Sequence, residues 1–559
     1  MSKILKPLIS GLTVFVLVGA LLAGCGQGTT TGNTTGAAAP DSPQRGGVFI
    51  NWMKDDPRQL DPVHAWDVSS YDILETLMDG LLRWDKAGKI VPDLATEMPQ
   101  VSSNGLTYTF HLRQGVKFSN GDPFTADDVV FTFNRLLAKK TASEGATLYS
   151  MIKGFNRMQS GKITELPGVV KVDDYTVKFL LNAPSRLFLD VIAMPYAFIM
   201  PKNYTTHLAK SSDFSANPVG TGPFKFAGWT KGQEIKVVRN NHYFLKDANG
   251  RQLPYLDGVT WKIGYGESVA YLNFKHLTQD FSSIPSADFI NIMNDPKMSK
   301  DVVSLVSNNF FYLGANNRVA PFNNTQVRQA LEYAIDKNAL IKLMNNRATP
   351  AWGILPPNMP GYKPNPSGYK YDPNKAKQLL ASAGYPNGLP GEYTLTYIQT
   401  AQYSTLVTNL QSQLANIGIK VKPQGLPGPQ FTNIVTTGKE QLMLGDWFQD
   451  YPDPNDFLNI LFNSNQIPNN NCVQYSNKTV DKELNKLAGE PDLNKAIPGY
   501  HAVEKQILDD AAVVPLYHEK FYYLVQPWVH NAQLHTVYPK FYYWTMWIDQ
   551  KAEKVAKGQ

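Results

Sequence analysis

The chain has 559 residues, 43% of them hydrophobic, with 53 Lys and Arg against 47 Asp and Glu for a formal net charge of +6. That length exceeds what one hydrophobic core holds, so two or three lobes are expected. A weak charge without any basic run gives no support to nucleic-acid binding, and a pair of cysteines, Cys25 and Cys472, excludes a Cys/His zinc framework.

The chain opens with Lys3 and Lys6, an apolar run over Leu8 to Ala23, and then Leu22-Ala23-Gly24-Cys25. This order reads as a secretory signal over residues 1–24. It resembles a bacterial lipoprotein signal, which implies that Cys25 carries a lipid and anchors the chain outside the cytoplasm. Removing residues 1–24 removes two lysines and no acids, so the charge falls from +6 to +4. Residues 25–45 are small, polar and rich in Gly and Pro, and read as a flexible tether. About 20 such residues reach roughly 25 Å. Once Cys25 is lipidated, Cys472 has no partner, so the fold holds without disulfides.

Beyond the tether, strands are predicted at "GVFINWM", "LTYTFHL", "YTVKFLL", "EIKVVRN", "YTLTYIQ" and "QLMLGDWF", where apolar residues alternate. Helices are predicted between them. Thr125 caps "TADDVVFTFNRLLAKK", with Asp127 and Asp128 in its first turn. "TQVRQALEYAIDKNALIKLM" puts Val327, Leu331, Ala334 and Ile335 on one face, which Asn338 interrupts and Ile341 resumes. "DPNKAKQLLASAG" has Asp372 as cap, Pro373 at the first position and Gly384 past the end. Leu406, Leu410 and Leu414 run into Gly418, after which the chain turns to strand. "GTGPFKFAG" lacks the third glycine of a dinucleotide loop and reads as a turn. Strands mixed with helices over this length make an α/β protein.

The densest chemistry lies at "DWFQDYPDPNDFL", Asp446 to Leu458. A calcium loop starting at Asp450 would meet Pro452, Asn455 and Leu461 at its third, sixth and twelfth positions, so a cation cage fails. A catalytic carboxylate pair is poorly supported, since glycosidase carboxylates flank the scissile bond from separate segments. Spacing alone leaves both that pair and a clamp for a cationic ligand open. Asp453 and Asp456, beside Pro452 and Pro454, read as turn and helix caps. The chain has no HExxH, GxSxG or Walker loop. No catalytic residue, metal or cofactor is expected.

Several stretches resemble the family 5 solute-binding proteins of ABC transporters, the oligopeptide and dipeptide binders. They are "LDPVHAWD" from Leu60, "TFHLRQGVKFSNGDPFTADDVVFTF" from Thr109, "NPVGTGPFKFAGW" from Asn217, "APFNNTQVRQALEYAID", "YDPNKAKQLLASAGYPNG" and "VVPLYHEKFYYLVQPWV". They span nearly all of the mature chain in the family's order. The resemblance implies an α/β, two-lobed periplasmic-binding-protein-like fold of type II with an extra subdomain and a ligand cleft between the lobes. Lobe I would take residues 46–78, 217–310 and 527–559, with 79–216 as its subdomain, and lobe II residues 311–526. Partners would be a peptide ligand, an ABC permease and, through it, ATPase subunits; the chain would be a monomer. Oligosaccharide or metal-chelate cargo is the alternative within the fold. A secreted hydrolase using Asp446–Asp456 is the alternative from another class, and a peptide-signal receptor with no nutritional role is a third.

In the family's peptide binders a W-x-x-D stretch supplies the aspartate that meets the ligand's ammonium. Here it matches Trp447-Phe448-Gln449-Asp450. The resemblance thus implies Asp450 as the amine clamp, with Asp446, Trp447 and Phe448 around it. Trp66, Val68, Tyr149, Tyr312, Tyr517 and His518 are further implied contacts, each with packing in a core or hinge as its alternative. Some oligopeptide binders have an arginine three residues before the tryptophan; this chain has Leu444. That departure weakens a grip on both ends of a short peptide.

Overall fold

A computed structural model describes residues 42–210, 213–537 and 541–559. The expected signal segment, Cys25 and the tether as far as residue 41 lie outside them.

A four-stranded sheet carries the first lobe, in the order Val48–Met53, Gly258–Ile263, Glu234–Arg239, Phe224–Thr230. Val48–Met53 pairs parallel with Gly258–Ile263, which ties the start of the described chain to its middle. A smaller antiparallel sheet follows the order Gln100–Val101, Thr107–His111, Thr176–Leu180, Val169–Asp173. Helix Ala126–Leu137 packs on it, opened by the Thr125 N–H, which donates to Asp128 at 2.9 Å. One apolar cluster runs through both sheets, with Phe49, Phe110, Phe133, Phe179 and Trp261 fully buried. The "GTGPF" turn lies so close to the backbone of Leu77 that a Cβ on Gly220 or Gly222 would collide with it. Close approach, rather than phosphate binding, accounts for these glycines.

A larger sheet is ordered Phe281–Ser283, Val513–Val525, Asn309–Ala315, Leu442–Phe448, Glu392–Ile398, Lys420–Leu426, and most of it belongs to the second lobe. Asn309–Ala315 is buried along its whole length. Its alternate side chains feed two cores: Phe311 and Leu313 join one, Phe310 and Tyr312 the other. That is the period of two expected of a strand covered on both faces.

The long strand Val513–Val525 serves both halves. Its first part pairs with Asn309–Ala315, and its last part pairs with Val302–Val306 and Phe281–Ser283. Val302–Val306 and Asn309–Ala315 thus lie one after the other along this single strand.

The predicted strands and most predicted caps match. Asp372 accepts from the Lys375 N–H at 2.9 Å, and Gly384 and Gly418 take φ values of +95° and +83°. One expectation is corrected. The single helix predicted from Thr325 is two, Thr325–Ala334 and Lys337–Leu343. Asp336 breaks it, since its carboxylate accepts from the Ala339 N–H at 3.1 Å and so caps a new helix.

Candidate functional site

Strand Leu442–Phe448 ends where the lobes meet. Its register sets Asp446 opposite Phe311 and Phe448 opposite Asn309. Asp446 and Phe448 therefore share one face, and Trp447 points to the other, against the core that holds Phe310 and Tyr312.

Beyond Phe448 the chain leaves the sheet in a turn organised by buried Asp456. Its Oδ2 accepts from Trp447 Nε1 at 3.3 Å and from the Asp450 N–H at 3.0 Å. Asp453 caps helix Pro454–Phe462 by accepting from the Asn455 N–H at 2.9 Å. These are the turn and capping roles expected of the two residues. Asp453 does more, because Arg186 of the first lobe lies 3.0 Å from it and 3.1 Å from the Tyr500 hydroxyl. The ring of Tyr451 packs within the first lobe's apolar cluster. The turn therefore bridges both lobes.

Asp446 and Asp450 differ from Asp453 in having no cation paired with them among the described residues. Both are half-buried, and burial pushes each carboxyl up to about 6. Asp450 lies close enough to act on Tyr196 of the first lobe, as do Glu144 and Asp67. Asp450 is held up by burial, with no compensating cation among the described residues, an environment that favours an arriving cation.

Beside this turn lies a cavity of about 230 Å³, lined by Val68, Phe448, Phe521, Tyr523 and Asn308 among others. Phe448 is 37% exposed and stacks on Phe521 with ring centroids 6.3 Å apart. Val68 is 54% exposed at the first turn of helix Val68–Leu77. Trp66, half exposed, carries the Arg58 guanidinium 4.6 Å from its ring centroid.

The remaining residues named by resemblance lie inside the protein. Tyr149 is fully buried, and its hydroxyl donates to the Val191 carbonyl at 2.8 Å. Tyr312 stacks on Phe310 at 5.1 Å, and Tyr517 on Phe311 at 4.5 Å. His518 has Nδ1 2.6 Å from the Asn309 carbonyl, and burial pushes its pKa down to about 4. Cys472 is half-buried without a disulfide, its thiol pushed up to about 12 by burial.

Sequence reasoning missed Arg186, Tyr196, Asn308, Phe521 and Tyr523. Phe521 and Tyr523 lie at alternate positions inside the stretch "VVPLYHEKFYYLVQPWV", which carried the resemblance but was not read as a strand. The others come from distant parts of the chain, and nothing local marks them.

Residues 89–469 match the family model described as bacterial extracellular solute-binding proteins, family 5 Middle. The chain belongs to this family, which is one of non-enzymatic solute-binding proteins. Relatives include heme-binding protein A of Haemophilus influenzae, 30% identical over 89% of this chain and 92% of that protein. The dipeptide-binding protein of Escherichia coli is 29% identical over 81% of this chain and 85% of its own length. Among solved structures, the periplasmic binding protein DppA from Helicobacter pylori in complex with the peptide STSA superposes with a TM-score of 0.76 at 27% identity, covering 90% of this chain and 99% of that one. AppA from Bacillus subtilis, in complex with a nonapeptide, superposes at 0.75 with 26% identity, covering 91% and 100%. The protein is thus a substrate-binding component of an ABC importer for peptides or related solutes. The hydrolase reading of Asp446–Asp456 is set aside with it. No helix among the described residues is long and apolar enough to cross a membrane.

Proposed function

We propose that this protein captures peptides between its lobes and hands them to a membrane permease. One observation carries the reading. Asp450 stands at the lobe junction with no cation of its own, while the neighbouring Asp453 already has Arg186. A peptide's α-ammonium supplies the missing charge, and a charge-assisted hydrogen bond strengthens as closure excludes water. Phe448, Trp66 and Val68 supply apolar wall, with Trp447 behind the turn. Asp446 adds a second acceptor on the face of Phe448. Main-chain pairing of an extended peptide beside this strand gives affinity without reading side chains. The relatives that bind peptides, at similar coverage, support the same cargo class.

The lobes, bounded as residues 46–78, 217–310 and 527–559 with subdomain 79–216, and 311–526, close about the segments that join them when cargo touches both. Cys25 carries the lipid anchor, and separate ATPase subunits supply the energy. The test is mass spectrometry of solute released when the purified protein is denatured. Peptides with free amino termini support the reading; a haem or another chelate as the sole cargo overturns it.

A further inference from the structure

The cavity beside the Asp450 turn, about 230 Å³, is smaller than the roughly 300–1,000 Å³ of a whole small-molecule site. It is sized for one side chain of a larger ligand. No Asp, Glu, Lys or Arg lines it. Its amide and imidazole groups are turned inward or spent on one another. Both ring nitrogens of His535 and Oδ1 of Asn308 lie sealed beneath the surface. Asn308 Nδ2 donates to Gln449 Oε1 at 2.6 Å, and Gln449 Nε2 donates to the Thr536 carbonyl at 3.5 Å. A charged side chain would lose its hydration there without gaining a partner. An apolar one gives up nothing and takes both its own surface and the wall's out of water.

The wall leaves a notable amount of apolar surface open. Single exposed apolar residues need no explanation, but several around one hollow do. Val68 is 54% exposed and Phe448 37%, and both line the cavity beside half-buried Leu305 and Phe521. With the lobe limits proposed above, Val68 and Leu305 belong to the first lobe and Phe448 and Phe521 to the second. A side chain in the cavity then touches both lobes, and its apolar contact is complete only when they meet.

We infer that this cavity selects peptides carrying a large apolar side chain at the first or second position and rejects charge there. The position follows from the clamp. Gln449 of the wall directly precedes Asp450, and Phe448 stands two residues before it. Two residues of backbone span at most about 7 Å, and a peptide advances by the same step. With the ammonium at Asp450, the side chain that reaches the cavity belongs to one of the first two residues. This inference rests on the peptide reading.

The experiment is calorimetry of wild type with peptides of three and of six residues. They are alanine throughout except for leucine, lysine or glutamate at the first, second or third position, with all-alanine peptides as reference. At one of the first two positions leucine binds about tenfold or more tighter than alanine, with a more negative heat-capacity change from the apolar surface buried. Lysine and glutamate there bind no tighter than alanine. Val68→Asp puts a charge in the wall at an exposed position in the first turn of a helix, where an acid is tolerated. It keeps the wild-type thermal midpoint and loses most of the leucine advantage. Equal affinities for leucine and alanine at both positions overturn the inference, as does lysine or glutamate matching leucine. A folded Val68→Asp that keeps the full advantage places the selection elsewhere and overturns it too. If all-alanine peptides bind and leucine gains nothing, only the apolar pocket falls. If no peptide of either length binds, the peptide reading falls and takes this one with it.

Discussion

Arg186 Nη2 lies 3.0 Å from Asp453 Oδ1, with the two side chains 9% and 3% exposed. The pair joins the first lobe to the turn that carries Asp450, and the same guanidinium nitrogen reaches the Tyr500 hydroxyl. Removing one partner of a buried pair strands the other, at a cost of about 3–5 kcal/mol. Arg186→Met should lower the urea midpoint by a corresponding amount. In small-angle scattering it should also show a larger radius, because the lost contact spans the lobes. Asp453→Asn should do the same more mildly, keeping an N-cap while losing the charge. The two changes together should cost less than their sum. Strictly additive losses and an unchanged radius would show that the pair does not hold the lobes together.

The same junction predicts a pH effect. Asp190 is pushed up to about 8, by burial first and then by the charge of Asp453. An acid whose pKa is higher folded than unfolded stabilises fully below its unfolded value, and that stability is lost as pH rises through the folded value. Its contribution is therefore present below about 4 and gone above about 8. Denaturant midpoints should fall from pH 6 to pH 9, and Asp190→Asn should flatten part of that slope. An unchanged slope in the variant would assign the effect to other buried acids, such as Glu504 and Glu519.

Phe448 offers a contrast between binding and stability. It is 37% exposed and lines the cavity. Phe448→Ala should weaken peptide binding by about tenfold while shifting the thermal midpoint little, since exposed apolar area contributes little to folding. A large loss of stability with unchanged affinity would make it a packing residue.

Cys25→Ser should release the protein from the membrane fraction or leave it unprocessed. A variant that matures normally and stays bound would contradict lipid anchoring at that residue.

Much of the architecture was legible because alternation and capping are local. Strand Leu442–Phe448 and the cap at Asp372 were readable from a few neighbouring residues. The break at Asp336 was hidden because Ile341 resumes the apolar face, so periodicity continued through a change of helix. At the site, the W-x-x-D stretch marked Asp450, and proline neighbours marked Asp453 as a cap. Its partner Arg186 lies 267 positions away, and no local pattern announces that contact.

The central claim is that Asp450 meets a peptide's ammonium. Burial pushes its carboxyl up to about 6, so binding of a cation should strengthen as pH rises through 6 and weaken below it. The direct measurement is calorimetry at pH 7.5 on wild type and Asp450→Asn, each with one peptide in free and N-acetylated form. Losing one partner of a buried charge pair costs about 2–5 kcal/mol. Asp450→Asn should therefore bind the free peptide about 30-fold or more weakly, and acetylation should weaken wild type similarly. The two losses should not add, because they remove the same contact. Equal wild-type affinity for free and acetylated peptide would contradict the amine clamp and move a sugar or chelate cargo to first place.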